Sequence, residues 1–398
     1  MSAWLLPESI ADVLPSEARR VEEFRRRVLD CFRRYGYELV MPPLLEYAES
    51  LFSGTGQGLD LKTVKVIDQA SGRTLCIRAD TTPQVARIDA HILNRTGVTR
   101  LCYCGPVLHT MTDAPHGSRD PLQCGAELFG HSGVEADIEI LRLAVETLAM
   151  AEVQGVRIDL CHADLLPALL EGQAQAGSLV RMLTSPLARK ERAAVKALLG
   201  SVPLEVAKPI ESLLELYGQP FGAGGVLARA RAVLPDLPRV RSALDNLETL
   251  CRSIEASDRG ILPMLDLADL RGDGYHSGTL FAAYVPGSAS AVLRGGRYDN
   301  VGEVFGRRRA ATGFSFDLKA WVARMPRSGQ QVCAIRAPWA ADAALDALIR
   351  QLRDQGEIVV QALPGHEQEE EEFEFDRVLQ NTMGVWQILP VSAMEKKQ

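Results

Sequence analysis

Apolar residues recur at helical spacing near the start of the chain. Val21, Phe24, Val28 and Phe32 share one face of a helix predicted over 16–35, with Ser16 as its N-cap and Gly36 as its stop. The pattern then shortens to strand length. YELVM (37–41) is closed by Pro42-Pro43, while TVKVI (63–67) and RTLCI (73–77) flank a Ser71-Gly72 turn and predict a hairpin. Pro83 suits the first position of a helix, with Thr82 before it as cap. Segments 99–104, 106–110 and 121–130 read as three strands whose links are too short for parallel crossovers, so the sheet is expected to be mainly antiparallel. A helix over 134–153 and a strand over 156–160 follow.

From about 164 to 257 the chain is rich in Leu, Ala, Glu and Arg and reads as helical, broken by Gly and Pro. Strand patterns return at 262–268, 278–285 and 289–294, and a helix is predicted over 315–324. A helical block between two halves of one antiparallel sheet predicts an α+β fold with a helical insertion. PRSGQQ (326–331) reads as a linker. The tail reads as a small α/β domain over 331–398: strand, helix (340–354), strand (357–362), an acidic loop and two short strands.

Composition changes this picture little. With 398 residues, 46% hydrophobic and 24% charged, the chain is long enough for two or three domains and for a core that needs no metal or disulfide. The formal charge of −7 excludes a generally basic, nucleic-acid-coating protein. EQEEEEFEFD (367–376) holds seven acidic residues, so the net acidity is that one segment, read as a solvated loop or as a surface for a basic partner. The N-terminus lacks a basic region before its apolar residues, and Pro7 and Glu8 interrupt it, so no signal peptide is expected. No apolar run is long enough to span a bilayer. Eight scattered cysteines without a CxxC or Cys/His framework predict buried thiols in a reducing cytoplasm and no metal site.

The candidate chemistry begins with the strand over 121–130. Period-two alternation puts Gln123, Gly125 and Glu127 on one face. An amide and a carboxylate around a glycine gap can hold a small ligand with an ammonium or ring N–H, or can be the solvated face of a half-buried strand. In Arg78-Ala79-Asp80-Thr81-Thr82-Pro83, Asp80 and Thr82 sit where a helix begins, which fits either capping or an ammonium partner. Arg271, Tyr275 and His276 cluster in a Gly-rich turn, and Gly295-Gly296-Arg297-Tyr298-Asp299 forms a second one, neither of them a phosphate-binding loop. These are either tight turns with exposed polar residues or the walls of one pocket.

Together these segments resemble class II aminoacyl-tRNA synthetases, and histidyl-tRNA synthetase in particular, over residues 5–325. Pro43-Leu44-Leu45-Glu46 resembles the dimer-forming motif 1. Ala79-Asp80-Thr81-Thr82 aligns with the family's Pro-Glu-Gly-Thr histidine-binding segment, and Gln123 and Glu127 match its motif 2 strand. Arg271 to His276 resembles its Arg-Gly-Leu-Asp-Tyr-Tyr signature, and its Gly-Gly-Arg-Tyr-Asp is intact at 295–299. The departures fall on ATP. Where the family carries the motif 2 Arg and Glu stand His109 and Met111, and Ala320 stands at the motif 3 Arg. Neither His nor Ala supplies the bidentate guanidinium fork that phosphate needs, and phosphoryl chemistry depends on such positioning. Asp317 adds a negative charge there.

This split is similar to the regulatory subunits of ATP phosphoribosyltransferase, a paralogous family whose Leu-Arg-Pro-Asp-x-Thr-Pro-Gln segment matches residues 77–84 with Ala79 for Pro. The resemblance implies a synthetase-like core over 1–325, with the insertion at about 164–257. It implies a non-catalytic role beside a short-form catalytic subunit in the first step of L-histidine biosynthesis, with feedback inhibition by histidine. No catalytic residue, cofactor, metal, tRNA or membrane is implied, and self-association through motif 1 is. The implied histidine set is Asp80, Thr82, Gln123, Glu127, Arg271, Tyr275, His276 and Tyr298. Glu127 and Asp80 take the ammonium, Arg271 faces the carboxylate, and Tyr275 and Tyr298 lie near the imidazole. The alternatives are an active histidyl-tRNA synthetase, a synthetase-like ligase for another carboxylate, and a binding module with a different partner.

Overall fold

The computed structural model describes residues 4–51, 57–112, 117–270, 276–288, 290–326, 332–366 and 373–391. They fall into two compact units, one running through Met325 and a smaller one from Pro326, to which Leu14–Ala18 also belong.

The larger unit is built on a nine-stranded sheet. Edge to edge, its strands are Glu38–Leu39, Thr99–Pro106, Leu122–Phe129, Ala311–Asp317, Leu293–Arg297, Thr279–Tyr284, Arg157–His162, Leu262–Asp266 and Tyr217–Gly218. The centre is antiparallel, as expected. Two pairs are parallel: Glu38–Leu39 with Thr99–Pro106, and Arg157–His162 with Leu262–Asp266. Long intervening segments supply the crossovers that parallel pairing needs. Leu45–Tyr47, Thr74–Ile77 and Val64–Ile67 form a separate small sheet that contains the predicted hairpin.

Several expectations are corrected. Residues 107–110 are not a strand: Val107 N–H bonds to Pro121 O and His109 N–H to Arg119 O, and the pairing of His109 with Thr63 is an isolated bridge. The helix expected over 315–324 starts at Leu318, and Ala311–Asp317 is a central strand. A short apolar run such as GFSF does not by itself distinguish helix from strand; here partners on both sides, Leu122–Phe129 and Leu293–Arg297, complete the strand's hydrogen bonds. The strand expected at 289–294 lies at Leu293–Arg297.

One face of the sheet is covered by long helices. Pro15–Arg34 buries Val21, Phe24, Val28, Cys31 and Phe32, and Phe32 meets Phe314 edge-on at 5.9 Å between ring centroids. Val134–Ala149 and Pro238–Glu255 join the same core. So do Leu183, Leu187, Val195, Ile210 and Leu213 of the helical segment between 164 and 257. The insertion therefore continues the main core.

The smaller unit is a four-stranded sheet in the order Val359–Ala362, Cys333–Pro338, Glu374–Thr382, Val385–Pro390, packed on the helix Ala343–Asp354. Asp342 caps that helix, accepting from Ala344 N at 2.8 Å and Leu345 N at 3.3 Å, and also accepts from Trp386 Nε1 at 2.8 Å. The acidic segment is not all loop, because Glu374, Phe375 and Asp376 begin a strand; 367–372 lie outside the described residues.

The eight cysteines are free thiols. Six are buried, Cys104 is half-buried and Cys333 is exposed, which corrects the expectation for that residue. Among the described residues no helix is long and apolar enough to cross a membrane, and no group of three or more His, Cys, Asp or Glu is placed to hold a metal ion.

Candidate functional site

The site lies on the sheet face away from the long helices. In antiparallel pairs, residues directly opposite share a face. Gln123, Gly125 and Glu127 therefore lie in rows with Gly105, Tyr103 and Leu101 on one neighbour and with Asp317, Ser315 and Gly313 on the other. The short helix Thr82–Arg87 lies over this face, where Val85 and Ala86 join Leu101, Tyr103, Phe129 and Tyr298 in a second small core. That dry patch buries the Glu127 side chain, leaving it 1% exposed.

Three hydroxyls converge on Glu127. Thr82 Oγ1 donates to Oε1 at 3.0 Å, Tyr103 O–H to the same oxygen at 3.1 Å, and Tyr298 O–H to Oε2. Burial nonetheless pushes the carboxyl up to about 8, with nearby Asp80 adding to the rise and the hydroxyls opposing it. Glu127 is thus a buried acid that a cationic ligand would convert to its charged form.

Gln123 organises the outer half. Its Oε1 accepts from Thr81 N at 2.8 Å, and its Nε2 donates to Asp80 Oδ1 at 2.8 Å and Ser315 Oγ at 3.2 Å. Asp80 Oδ1 also accepts from Thr82 N at 3.0 Å, so Asp80 ties down the start of the helix. Thr82 is not the cap expected of it. It is the first helical residue, and its hydroxyl turns to Glu127. The Thr81 hydroxyl is buried without a hydrogen-bond partner.

Glycines clear the floor. At Gly125 the missing side chain admits Tyr103, whose hydroxyl would lie 2.5 Å from an added Cβ. At Gly313 an added Cβ would fall on the Glu127 carboxylate, and at Gly296 it would lie 2.7 Å from Cδ2 of His276. Gly296 and Gly313 are opposite one another. The Glu127 carboxylate and the His276 imidazole therefore lie against two glycines that face each other across neighbouring strands. Burial pushes that imidazole down to about 4, with Arg294 adding to the fall, so the ring is neutral at pH 7.

The structure brings together Asp80, Thr82, Gln123, Glu127, Tyr298 and, across the two glycines, His276. Arg271 and Tyr275 lie outside the described residues. Tyr103, Ser315 and Gly313 were missed from the sequence. Tyr103 was legible, because alternation along 101–105 puts it on one face with Leu101 and Gly105. Ser315 was hidden by the helix reading of 315–324, and Gly313 fell outside every predicted element.

The positions matched to ATP-binding residues look different. His109 Nε2 is 2.9 Å from Ala79 O, and Met111 is 62% exposed. Ala320 sits in the helix Leu318–Val322. Asp317 caps that helix through Lys319 N at 3.1 Å and accepts from Leu122 N at 3.2 Å. Its carboxyl is held above the usual range by burial. None of the three positions 109, 111 and 320 carries a guanidinium.

Comparisons with known proteins agree over the whole length. A family model for histidyl-tRNA synthetase matches residues 9–321, and one for the C-terminal domain of the ATP phosphoribosyltransferase subunit HisZ matches 331–389. An ATP phosphoribosyltransferase regulatory subunit of Ralstonia nicotianae is 56% identical over 99% of this chain and 100% of that one. One of Paraburkholderia xenovorans is 52% identical over 98% and 100%. Among solved structures, an ATP phosphoribosyltransferase regulatory subunit/histidyl-tRNA synthetase from Bacillus halodurans has a TM-score of 0.78 at 24% identity, covering 91% of this chain and 93% of its own. Histidyl-tRNA synthetase from Nostoc has a TM-score of 0.73 at 18% identity, covering 91% and 86%. These two likenesses show the fold, an α+β synthetase-like architecture.

Proposed function

The chain belongs to the family of ATP phosphoribosyltransferase regulatory subunits, and from that premise we propose that it serves L-histidine biosynthesis as the non-catalytic partner of a short-form ATP phosphoribosyltransferase catalytic subunit. It activates that subunit and carries its inhibition by histidine.

The observation that carries this reading is the division of the site. The cluster of Glu127, Gln123, Asp80 and Thr82 is intact and linked by hydrogen bonds, which supports binding of an amino acid. The positions that would grip ATP hold His109 and Ala320, with the Asp317 carboxylate nearby, which supports the absence of adenylation. Removing a single preorganised donor typically costs about 10²–10³ in rate.

Histidine binds with its ammonium between Glu127 and Asp80. Gln123 holds the Asp80 side of this pair in place. The imidazole lies along Gly296 and Gly313, between Tyr298 and His276. For Arg271 and Tyr275, which lie outside the described residues, the proposal rests on the family resemblance alone, which assigns Arg271 to the carboxylate. Histidine shifts the complex only as far as its affinity differs between active and inhibited states, a coupling of about 1–3 kcal/mol that is reciprocal. Leu39, Met41, Leu44 and Leu45 are exposed together near motif 1, which supports self-association through that edge.

The test is reconstitution. The chain is mixed with a short-form catalytic subunit and phosphoribosyltransferase activity is measured with and without histidine. Activation without any histidine sensitivity would remove the sensing role. Robust histidine-dependent pyrophosphate exchange by the isolated chain would overturn the non-catalytic reading.

A further inference from the structure

A polar cavity of about 180 Å³ opens on the face of the sheet opposite the Glu127 site. Its position follows from register. Leu128, Thr312 and Arg297 form one cross-strand row, alternate to the row that holds Glu127, Gly313 and Gly296, and Thr279 is opposite His162. Thr279, His162 and Arg297 line the cavity from the sheet. Arg239, Ser242 and Asn246, at i, i+3 and i+7 of the helix Pro238–Glu255, line it from above. Asp137, in the first turn of Val134–Ala149, and Asp164, just after the strand that carries His162, complete it.

Two of these groups are buried, and one of them, the Thr279 hydroxyl, has no hydrogen-bond partner. Thr279 is 2% exposed. His162 is 6% exposed, and burial pushes it down to about 4, so it is neutral at pH 7. Its Nδ1 accepts from Asp164 N at 3.3 Å, which puts the ring proton on Nε2 and leaves that N–H for a ligand. Buried polar groups are normally satisfied, and exceptions call for an explanation.

The charges select the ligand. Arg297 is already occupied by Asp137, Asp299 and the carbonyls of His131 and Gly133. Arg239 pairs with Asp164 at 2.5 Å at the half-exposed mouth. The two arginines and two aspartates that line the cavity cancel. A balanced lining favours neither a free anion nor a free cation. It suits a molecule that carries both charges, with a carboxylate at Arg239, His162 Nε2–H and the Thr279 hydroxyl, and an ammonium at Asp164. The volume falls below the ~300–1,000 Å³ of pockets for drug-sized ligands, which suits a small molecule. We propose that this cavity is a second small-molecule site, separate from the Glu127 site, and that it takes a free amino acid as a zwitterion.

Calorimetry tests this on the intact chain carrying Gln123→Ala together with Glu127→Gln, which between them disable the first site. The probes are the standard L-amino acids, with glycerol as a neutral arm and inorganic phosphate as an anionic arm. The expected result is that one or more amino acids bind this protein, and that adding Arg239→Ala or Thr279→Val weakens binding by about tenfold or more. Arg239 is half-exposed, so its removal is safe for folding, and a thermal melt checks Thr279→Val. If no amino acid binds this doubly substituted chain at millimolar concentration, the proposal is wrong. It is equally wrong if phosphate or glycerol binds and no amino acid does, or if amino-acid binding ignores both cavity substitutions. Loss of histidine binding on Gln123→Ala and Glu127→Gln alone concerns only the first site.

Discussion

Gly313 lies directly opposite Glu127 on the neighbouring strand, and a single added methyl there would occupy the space of the Glu127 carboxylate. The glycine is what lets a carboxyl, fenced by Thr82, Tyr103 and Tyr298, lie flat on the sheet. Gly313→Ala should therefore displace Glu127. Overpacking costs about 1–3 kcal/mol, and histidine affinity should fall about tenfold or more. Calorimetry against histidine reads the affinity and denaturant unfolding reads the stability; unchanged affinity would show that Glu127 does not face the ligand.

The raised pKa of Glu127 gives a pH dependence with a definite sign. Free protein holds the carboxyl protonated below about 8. An ammonium ligand needs the carboxylate, so binding expels a proton, and affinity should climb between pH 7 and 8 and then level off. Titrations in buffers of different ionisation heat should report close to one proton released at pH 7.

The same shift bears on folding. A carboxyl raised in the folded state contributes stability below its unfolded pKa, near 4.5, and loses it as pH rises through about 8. Glu127→Gln should abolish this loss and melt above the parent protein at pH 8–9, while binding histidine poorly. A parallel pH profile for parent and variant would contradict the burial argument.

Gln123 belongs to the half-buried outer part of the site, not to the core. Gln123→Ala should leave activation of the catalytic subunit intact and raise the histidine concentration for inhibition by about tenfold, since a hydrogen bond to a charged group is worth about 1.5–3 kcal/mol. Phosphoribosyltransferase assays over a histidine series separate the two effects. Activation and inhibition lost together would point to a structural defect instead.

Away from the site, Arg309 and Asp89 form a buried pair, with Nη1 at 2.8 and 3.0 Å from the two carboxylate oxygens and side chains 7% and 2% exposed. Asp89→Ala strands a guanidinium in the interior and should cost about 3–5 kcal/mol. Chemical denaturation measures it, and a change below about 1 kcal/mol would mean that water reaches Arg309.

Local patterns carried part of this protein. Period-two alternation put Gln123, Gly125 and Glu127 on one face, and helical spacing from Val21 to Phe32 placed the first helix on the sheet, because these regularities depend only on backbone geometry. The roles of single groups did not follow. Thr82 reads as a cap from its place before Pro83, yet its hydroxyl serves a carboxylate 45 residues away. GFSF at 313–316 reads as the approach to a helix, yet it is a central strand.

From the sequence alone came the order of elements, the polar face of the 122–129 strand and the loss of arginine at 109 and 320. What only the tertiary structure decided was which distant segments meet: Gly313 beneath Glu127, Tyr103 in the gap at Gly125, and Thr279 beside His162 in a cavity on the other face. The reason is physical. Side-chain direction within a strand is set by the chain's own dihedrals, but the register between strands, two of these pairs joining segments well over a hundred residues apart, is set by the packing of the whole core, and a shift of one residue would turn each of these groups to the other side.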